Sequence, residues 1–484
     1  MRPLLLALLS SATALCAADP APPAPRPNIV LILADDLGYG DVGAYNPKSR
    51  IPTPNLDRLA TQGLRFTDAH AGGSVCVPSR YALLTGRFAA RATLEPGQGP
   101  VIEEDRPTIA TLLREHGYRT AMVGKWHQGF ETRHGADGKK EEYDYTKPLR
   151  GGPVDRGFDS FFGQHASLDI PPYFYIRDRT PTQPPTDSVA ASTSVGGPDD
   201  WTNIQGAFWR AGAVAPDYKH AVVPQRYAAE AVEVLRAHAV GPRDRPLFLY
   251  CALVSPHTPW LPAEPFRGKS GAGLYGDYVM ETDAIVGQLL DALERAGLAT
   301  NTLLIFTSDN GPVWYPKDVA RFGHDAVGGL RGLKASSHEG GHRMPFLVRW
   351  PGVVPPGSVS MQTIAFPDLF ATFTELVGGP SGPAGDGVSF LPYLRDATKA
   401  PEPRAPIVHD AWTIRDGDWK LILPRGKQAS QGKAPRKPAG ELYNLREDLA
   451  EQHNQLAEQP ERAERMREQL ERILQGAAAP VRTP

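Results

Sequence analysis

Asn28-Ile29-Val30-Leu31-Ile32-Leu33-Ala34-Asp35-Asp36 decides the fold: an uncharged run that ends abruptly in two carboxylates. The run is apolar throughout from Ile29 and does not alternate, which suits a strand covered on both faces in a parallel sheet. The same grammar recurs at Leu303-Leu304-Ile305-Phe306-Thr307, which stops at Ser308-Asp309-Asn310-Gly311. Leu247–Val254 is a third apolar run, followed by Ser255-Pro256-His257-Thr258-Pro259, and Arg119–Val123 precedes Gly124-Lys125-Trp126-His127. Open α/β sheets build their sites outside the carboxyl ends of strands, so these polar ends are expected to meet. Taken singly, Asp-Asp and Asp-Asn-Gly are also ordinary turn residues.

Brought together, three carboxylates repel and raise one another's pKa unless a cation neutralises them. Asp35, Asp36, Asp309 and the amide oxygen of Asn310 form an all-oxygen set that suits calcium, suits magnesium less well, and does not suit zinc.

Cys76-Val77-Pro78-Ser79-Arg80-Tyr81-Ala82-Leu83-Leu84-Thr85-Gly86-Arg87 is the second informative stretch. Pro78 suits the first position of a helix that runs through good helix formers and stops at Gly86. That places Cys76 at a helix N-terminus, which favours negative charge by about 0.3–1 kcal/mol, with Arg80 one turn away. Cys251 lies inside an apolar strand and reads as core. Cys76 is either a buried structural thiol or a reactive group, and residue type alone leaves both open.

Cys76-x-Pro78-Ser79-Arg80 followed by Leu84-Thr85-Gly86-Arg87 resembles the signature of the type I sulfatases, in the alkaline phosphatase superfamily. The likeness extends to Gly124-Lys125-Trp126-His127, to Arg331-Gly332-Leu333-Lys334, and to Glu339-Gly340-Gly341-His342-Arg343-Met344-Pro345. It implies an alkaline-phosphatase-like α/β fold: a large, mixed, mostly parallel sheet flanked by helices, with a small C-terminal antiparallel-sheet-plus-helix subdomain. It also implies that a maturation enzyme converts Cys76 to formylglycine, and that Asp35, Asp36, Asp309, Asn310 and position 76 bind calcium. The hydrated aldehyde would attack sulfur, favoured in its deprotonated form by calcium and Arg80, while calcium, Lys125 and Lys334 hold the sulfate. His257, with Lys334, would protonate the leaving alcohol, and His127 would then release sulfate from a covalent sulfo-enzyme. His324 and His165 are further candidates for substrate contact. Gln128, His342 and Met344 depart from the family pattern at positions where apolar residues are frequent. Arg331, Glu339 and Arg343 read equally well as a structural ion-pair set.

Length and composition agree with such an enzyme. The 484 residues are 41% hydrophobic and 22% charged, with a formal net charge of −2, so the chain has no bulk basic field for nucleic acid. Residues 1–18 read as a secretory signal, with Arg2, the apolar Leu4–Leu9 stretch and small residues up to Ala18; lipoprotein anchoring at Cys16 is the alternative. Export to the periplasm or outside the cell follows, and no later run has the length of a membrane span. Residues 19–27 are a proline-rich leader, 28–400 the catalytic domain and 401–484 a C-terminal subdomain. In the latter, Ala411–Leu423 reads as a hairpin around the turn Arg415-Asp416-Gly417-Asp418, 425–440 as a basic flexible tract, and about 459–475 as a helix with Met466, Leu470, Ile473 and Leu474 on one face.

The loop-rich stretch 130–220 carries Tyr173, Phe174, Tyr175, Trp201, Phe208 and Trp209, which either stack on sugar rings or pack the loops onto the domain. A sulfated carbohydrate is the expected substrate. The alternatives are an arylsulfatase, a phosphonate or phosphate ester hydrolase of the same superfamily, and a non-catalytic, calcium-dependent glycan-binding protein on this scaffold.

Overall fold

The computed structural model describes residues 26–476 apart from 96–98, 133–142, 198, 243, 381–382 and 425–439. The signal segment, most of the leader and the basic tract therefore lie outside the described residues. Among those described, no helix is long and apolar enough to cross a membrane.

The apolar run at the start becomes the strand Asn28–Asp35, all eight residues buried, near the middle of a ten-stranded sheet. It is flanked by two other apolar runs, Thr302–Ser308 on one side and Leu247–Pro256 on the other, both parallel to it. Arg119–Lys125 and then Ser160–Gln164 extend the parallel part, while Phe346–Arg349 pairs antiparallel with Thr302–Ser308. The two outermost strands beyond Ser160–Gln164 are antiparallel pieces of two residues each, Ile176–Arg177 and Thr180–Pro181. Complete burial of the central strands means that both faces are covered. One group of helices comprises Pro54–Gln62, Val223–Val240 and Gly273–Arg295, and the other Cys76–Thr85, Ile109–Glu115 and Asp368–Leu376.

Register carries the consequence for function. Ala34 lies opposite Ser308, Asp35 opposite Pro256, and Ala252 opposite Gly124, so four polar strand ends emerge at one edge of the sheet. Gly124 is required there. Its φ is 118°, and a Cβ would lie 1.8 Å from the carbonyl oxygen of Ala252, so no side chain fits where this strand turns Lys125 inward.

A second sheet is antiparallel and contains Ile407–Asp410, Thr413–Asp416, Trp419–Ile422 and Glu441–Asn444. The expected hairpin is present, with Gly417 at φ 61° in a two-residue turn; Arg415 and Asp416 belong to the strand and not to the turn. The helix Pro460–Leu474 buries Met466, Leu470 and Ile473 against this sheet, together with Phe88 and Ala365 from the large sheet's side of the molecule. Leu474 is only half-buried.

Candidate active site

The helix Cys76–Thr85 begins at Cys76, so Pro78 is its third residue and not its first. Three backbone N–H groups at a helix start lack intrahelical partners before Pro78 could matter, which leaves the proline without steric cost at this position. Gly86 closes the helix in a left-handed conformation, its N–H donating to the Ala82 carbonyl. Nine of the ten residues are buried, which fixes Cys76 and Arg80 rigidly.

Arg80 is fully buried. Its Nε donates to Asp309 Oδ2 at 2.9 Å and its Nη1 to the Lys125 carbonyl at 3.0 Å, while its Nη2 lies 3.5 Å from Asp35. One guanidinium thus links three of the strand ends. Cys76 Sγ lies 3.6 Å from Asp35 Oδ1, Lys125 Nζ 2.5 Å from Asp35 Oδ2, and Lys334 Nζ 2.7 Å from Asp36 Oδ1. His257 Nε2 is 3.7 Å from Asp36 Oδ2. Asp36 adopts φ 64°, a left-handed conformation that aspartate tolerates better than most residues, and its N–H donates to Asp309 Oδ1.

Burial opposes ionisation of Asp35, yet Lys125, His257, Arg80 and Lys334 outweigh it and hold the carboxyl well below the usual range. Asp309 is pushed up by burial and by Asp35 beside it. Burial pushes the Cys76 thiol up to about 12, against the pull of the helix N-terminus toward the charged form. Burial, with Lys125 and Arg80, holds His127 well below the usual histidine range, which keeps the ring neutral.

The residues fit a hard divalent cation. Asp35, Asp36, Cys76 and His257 each bring one ligand-type atom within 4.8 Å of the others, and Asn310 Oδ1 is buried without a hydrogen-bond partner. Carboxylate and amide oxygens of this kind suit calcium or magnesium.

Above this floor is a cavity of about 350 Å³ lined by Asp36, Cys76, His127, His257 and Lys334. Its wall adds Thr258, from the segment after the third apolar run, and Ser167, Asp169, Ile204 and Arg210, which the sequence did not single out because they sit in loops with no motif of their own. Arg210 pairs with Asp169 at the mouth, its side chain half exposed.

Two expected substrate contacts lie elsewhere. His324 is completely buried, with Nε2 2.8 Å from Asp41 and Nδ1 accepting from the Arg50 N–H, so it braces the loop after the first strand. His165 stacks on Phe174 and directs Nε2 to the Pro172 carbonyl. Neither lines the cavity. Tyr173, Phe174, Tyr175 and Trp201 are buried and pack the loops together, which settles the aromatic stretch as packing at those four positions. Arg343 bonds Glu339 and Asp68, and Arg331 reaches Glu441, so these charges are structural.

The fold and site together define a hydrolase of the alkaline-phosphatase-like architecture, with a cationic cradle over a carboxylate cluster. The chain belongs to the sulfatase family, whose model matches residues 27–379. It is therefore an enzyme of sulfate ester hydrolysis. It is 31% identical to an N-acetylgalactosamine-6-O-sulfatase of Bacteroides thetaiotaomicron, with 93% of each chain covered. It is 36% identical to human arylsulfatase A, over 94% of this chain and 86% of that one. A solved structure described with glycosaminoglycan metabolism by Bacteroides thetaiotaomicron superposes with a TM-score of 0.78 at 29% identity, covering 93% of this chain and 99% of that chain.

Proposed function

We propose that this enzyme removes sulfate from a carbohydrate, using an aldehyde formed from Cys76 as nucleophile and a calcium ion held by Asp35, Asp36, Asp309 and Asn310. The observation that carries this reading is the convergence of Cys76, Lys334, His127 and His257 on one cavity floor beside those oxygen ligands. The carbohydrate is supported by relatives named for N-acetylgalactosamine 6-sulfate, from Bacteroides thetaiotaomicron and from rat, the latter 34% identical over 81% of this chain.

Hydrolysis of a sulfate ester needs a nucleophile in line with the departing oxygen, cations on the sulfate oxygens, and a proton for the alcohol. When bound, calcium would supply Lewis-acid neutralisation worth several kcal/mol, and the aldehyde at position 76 would supply a hydrated carbon in place of a thiol that stays protonated. Lys125 and Lys334 bring two ammonium groups to the floor for the sulfate oxygens. His257 Nδ1 lies 2.7 Å from the Thr258 carbonyl, which only accepts, so Nδ1 keeps a hydrogen and Nε2, 3.7 Å from Asp36, is the atom from which the imidazolium form would give its second hydrogen to the leaving alcohol, returning to the neutral ring. His127 is held at φ 53° with its ring neutral, and it takes the proton when sulfate is released.

Side-by-side kinetics of the matured enzyme on an N-acetylgalactosamine 6-sulfate oligosaccharide, an aryl sulfate and a phosphonate monoester test the substrate. The sugar sulfate is expected to give the highest kcat/KM. A higher value on the aryl sulfate or the phosphonate would replace the carbohydrate reading.

A further inference from the structure

His342 is one of the residues that depart from the family pattern, and the hydrolytic site does not use it. It ends the helical turn Glu339–His342, eight residues after Lys334. Its ring meets His70, six residues before Cys76, and His409, on the first strand of the C-terminal sheet. All three are buried, with exposures of 0%, 1% and 2% for His342, His70 and His409. His70 Nδ1 is 3.1 Å from His342 Nδ1, the His342 and His409 rings stack at 3.7 Å, and one ring nitrogen of each lies within 4.8 Å of the others.

The proton positions make this arrangement informative. His70 Nε2 lies 2.7 Å from the Asp68 carboxylate, and His342 Nε2 lies 3.1 Å from the Ser337 carbonyl. Both partners accept, so one arrangement puts the ring hydrogen on each Nε2, and a neutral imidazole has only one. The two Nδ1 lone pairs then face each other at 3.1 Å, an arrangement that repels unless a cation lies between them. Arg415 Nη1, 2.7 Å from His70 Nε2, and Lys420 Nζ, 3.2 Å from His342 Nε2, offer a different tautomer with a direct Nδ1–H···Nδ1 bond. Arg415 holds both Asp68 oxygens and Lys420 holds Glu339 and Glu451, and each cation keeps a further hydrogen for the ring nitrogen beside it. That tautomer satisfies His70 and His342 but leaves His409 unexplained. Neither of its ring nitrogens makes a hydrogen bond of ordinary geometry, although the Ala71 backbone lies beside it, and a buried unsatisfied polar atom costs about 1–3 kcal/mol.

We propose that His70, His342 and His409 form a second metal site, for a transition metal of the zinc class, which ties the C-terminal sheet to the two segments that carry Cys76 and Lys334. Imidazole donors suit zinc, copper or nickel and do not suit calcium, so the site is chemically distinct from the oxygen cluster. The Asp68–His70 contact is the carboxylate–histidine support that fixes a metal-ligating ring. The surrounding charges, Asp68, Glu339 and Glu451 against Arg343, Arg415 and Lys420, balance, so a dication does not enter a net positive shell.

The test uses the full chain, stripped with a chelator, dialysed against zinc in excess calcium, and measured for bound zinc per chain by elemental mass spectrometry. The wild type and Cys76→Ala are each expected to retain one zinc, and His409→Ala to lose it. X-ray absorption of the wild type should show a nitrogen shell at about 2.0–2.1 Å. The absorption measurement needs no variant to fold. No retained zinc in the wild type, equal zinc in folded His409→Ala, or a sulfur-containing or oxygen-only shell would overturn the proposal.

Discussion

Lys334 Nζ lies 2.7 Å from Asp36 Oδ1 across 298 residues of chain, so the sheet brings a loop cation onto the first strand's carboxylate. The same ammonium faces the cavity that contains Cys76 and His257. A preorganised donor of this kind is worth about 2.7–4 kcal/mol to the transition state. Lys334→Ala is therefore expected to lower kcat/KM by roughly two to three orders of magnitude while leaving the unfolding midpoint near that of the wild type, because Asp36 keeps the Asn310 amide as a donor. Unchanged kcat/KM would remove Lys334 from the sulfate cradle.

Arg80 makes a different prediction, on stability. Its guanidinium is fully buried between Asp309 and Asp35, and removing one partner of a buried ion pair leaves an uncompensated charge, at a cost of about 3–5 kcal/mol. Arg80→Met should lower the urea midpoint accordingly with the slope unchanged. A loss below about 0.5 kcal/mol, typical of surface substitutions, would mean that the buried pair contributes little.

The pH dependence of stability has a testable contribution from Asp283 in the long helix Gly273–Arg295. Burial raises its pKa from 3.8 to about 6, even though the backbone N–H groups of Asn55 and Leu56 donate to it. A raised carboxyl binds its proton more tightly when folded, so its contribution is fully present below about pH 4 and is lost as pH rises through about 6. Comparing wild type with Asp283→Asn, the wild type should gain up to about 2–3 kcal/mol relative to the variant between pH 7 and pH 4. A difference independent of pH would mean that the carboxyl titrates alike in the folded and unfolded chains, and a wild type that loses ground as pH falls would mean that the fold holds it ionised.

At the cavity mouth, Arg210 is half exposed, pairs with Asp169, and stands beside His257 and Thr258. A cation there can meet a second anionic group of a sulfated or acidic oligosaccharide without touching the reacting sulfate. Arg210→Ala should raise KM for such a substrate by roughly tenfold with kcat little changed, the signature of lost uniform binding. An equal fall in kcat would place Arg210 in the chemistry.

The chain made its central sheet legible because strands buried on both faces must be apolar at every position, as Ile29–Ala34 and Leu303–Phe306 are. The polar residues that end those strands were legible for the same reason, since nothing else interrupts the pattern. The two-residue edge strands carry too few positions for any period to register, and Asp169 and Arg210 reach the cavity through loops whose path depends on tertiary packing. His324 follows a site segment closely and His165 does not, and neither position in the sequence reveals that Asp41 and the Pro172 carbonyl claim their rings. The helix starts at Cys76, two residues before Pro78, because proline is tolerated throughout the first turn, where N–H groups lack partners anyway. The histidine cluster joins three segments separated by long stretches of chain, and only the fold brings them together.

The proposed function requires the working group at position 76 to be an aldehyde and not a thiol. The most direct measurement is mass spectrometry of the peptide containing Cys76 from protein made in its native host, with turnover of a sugar sulfate assayed on the same preparation. Formylglycine at position 76, in a fraction that scales with specific activity, is the predicted result. Full activity in protein whose peptide carries only unmodified cysteine would contradict it.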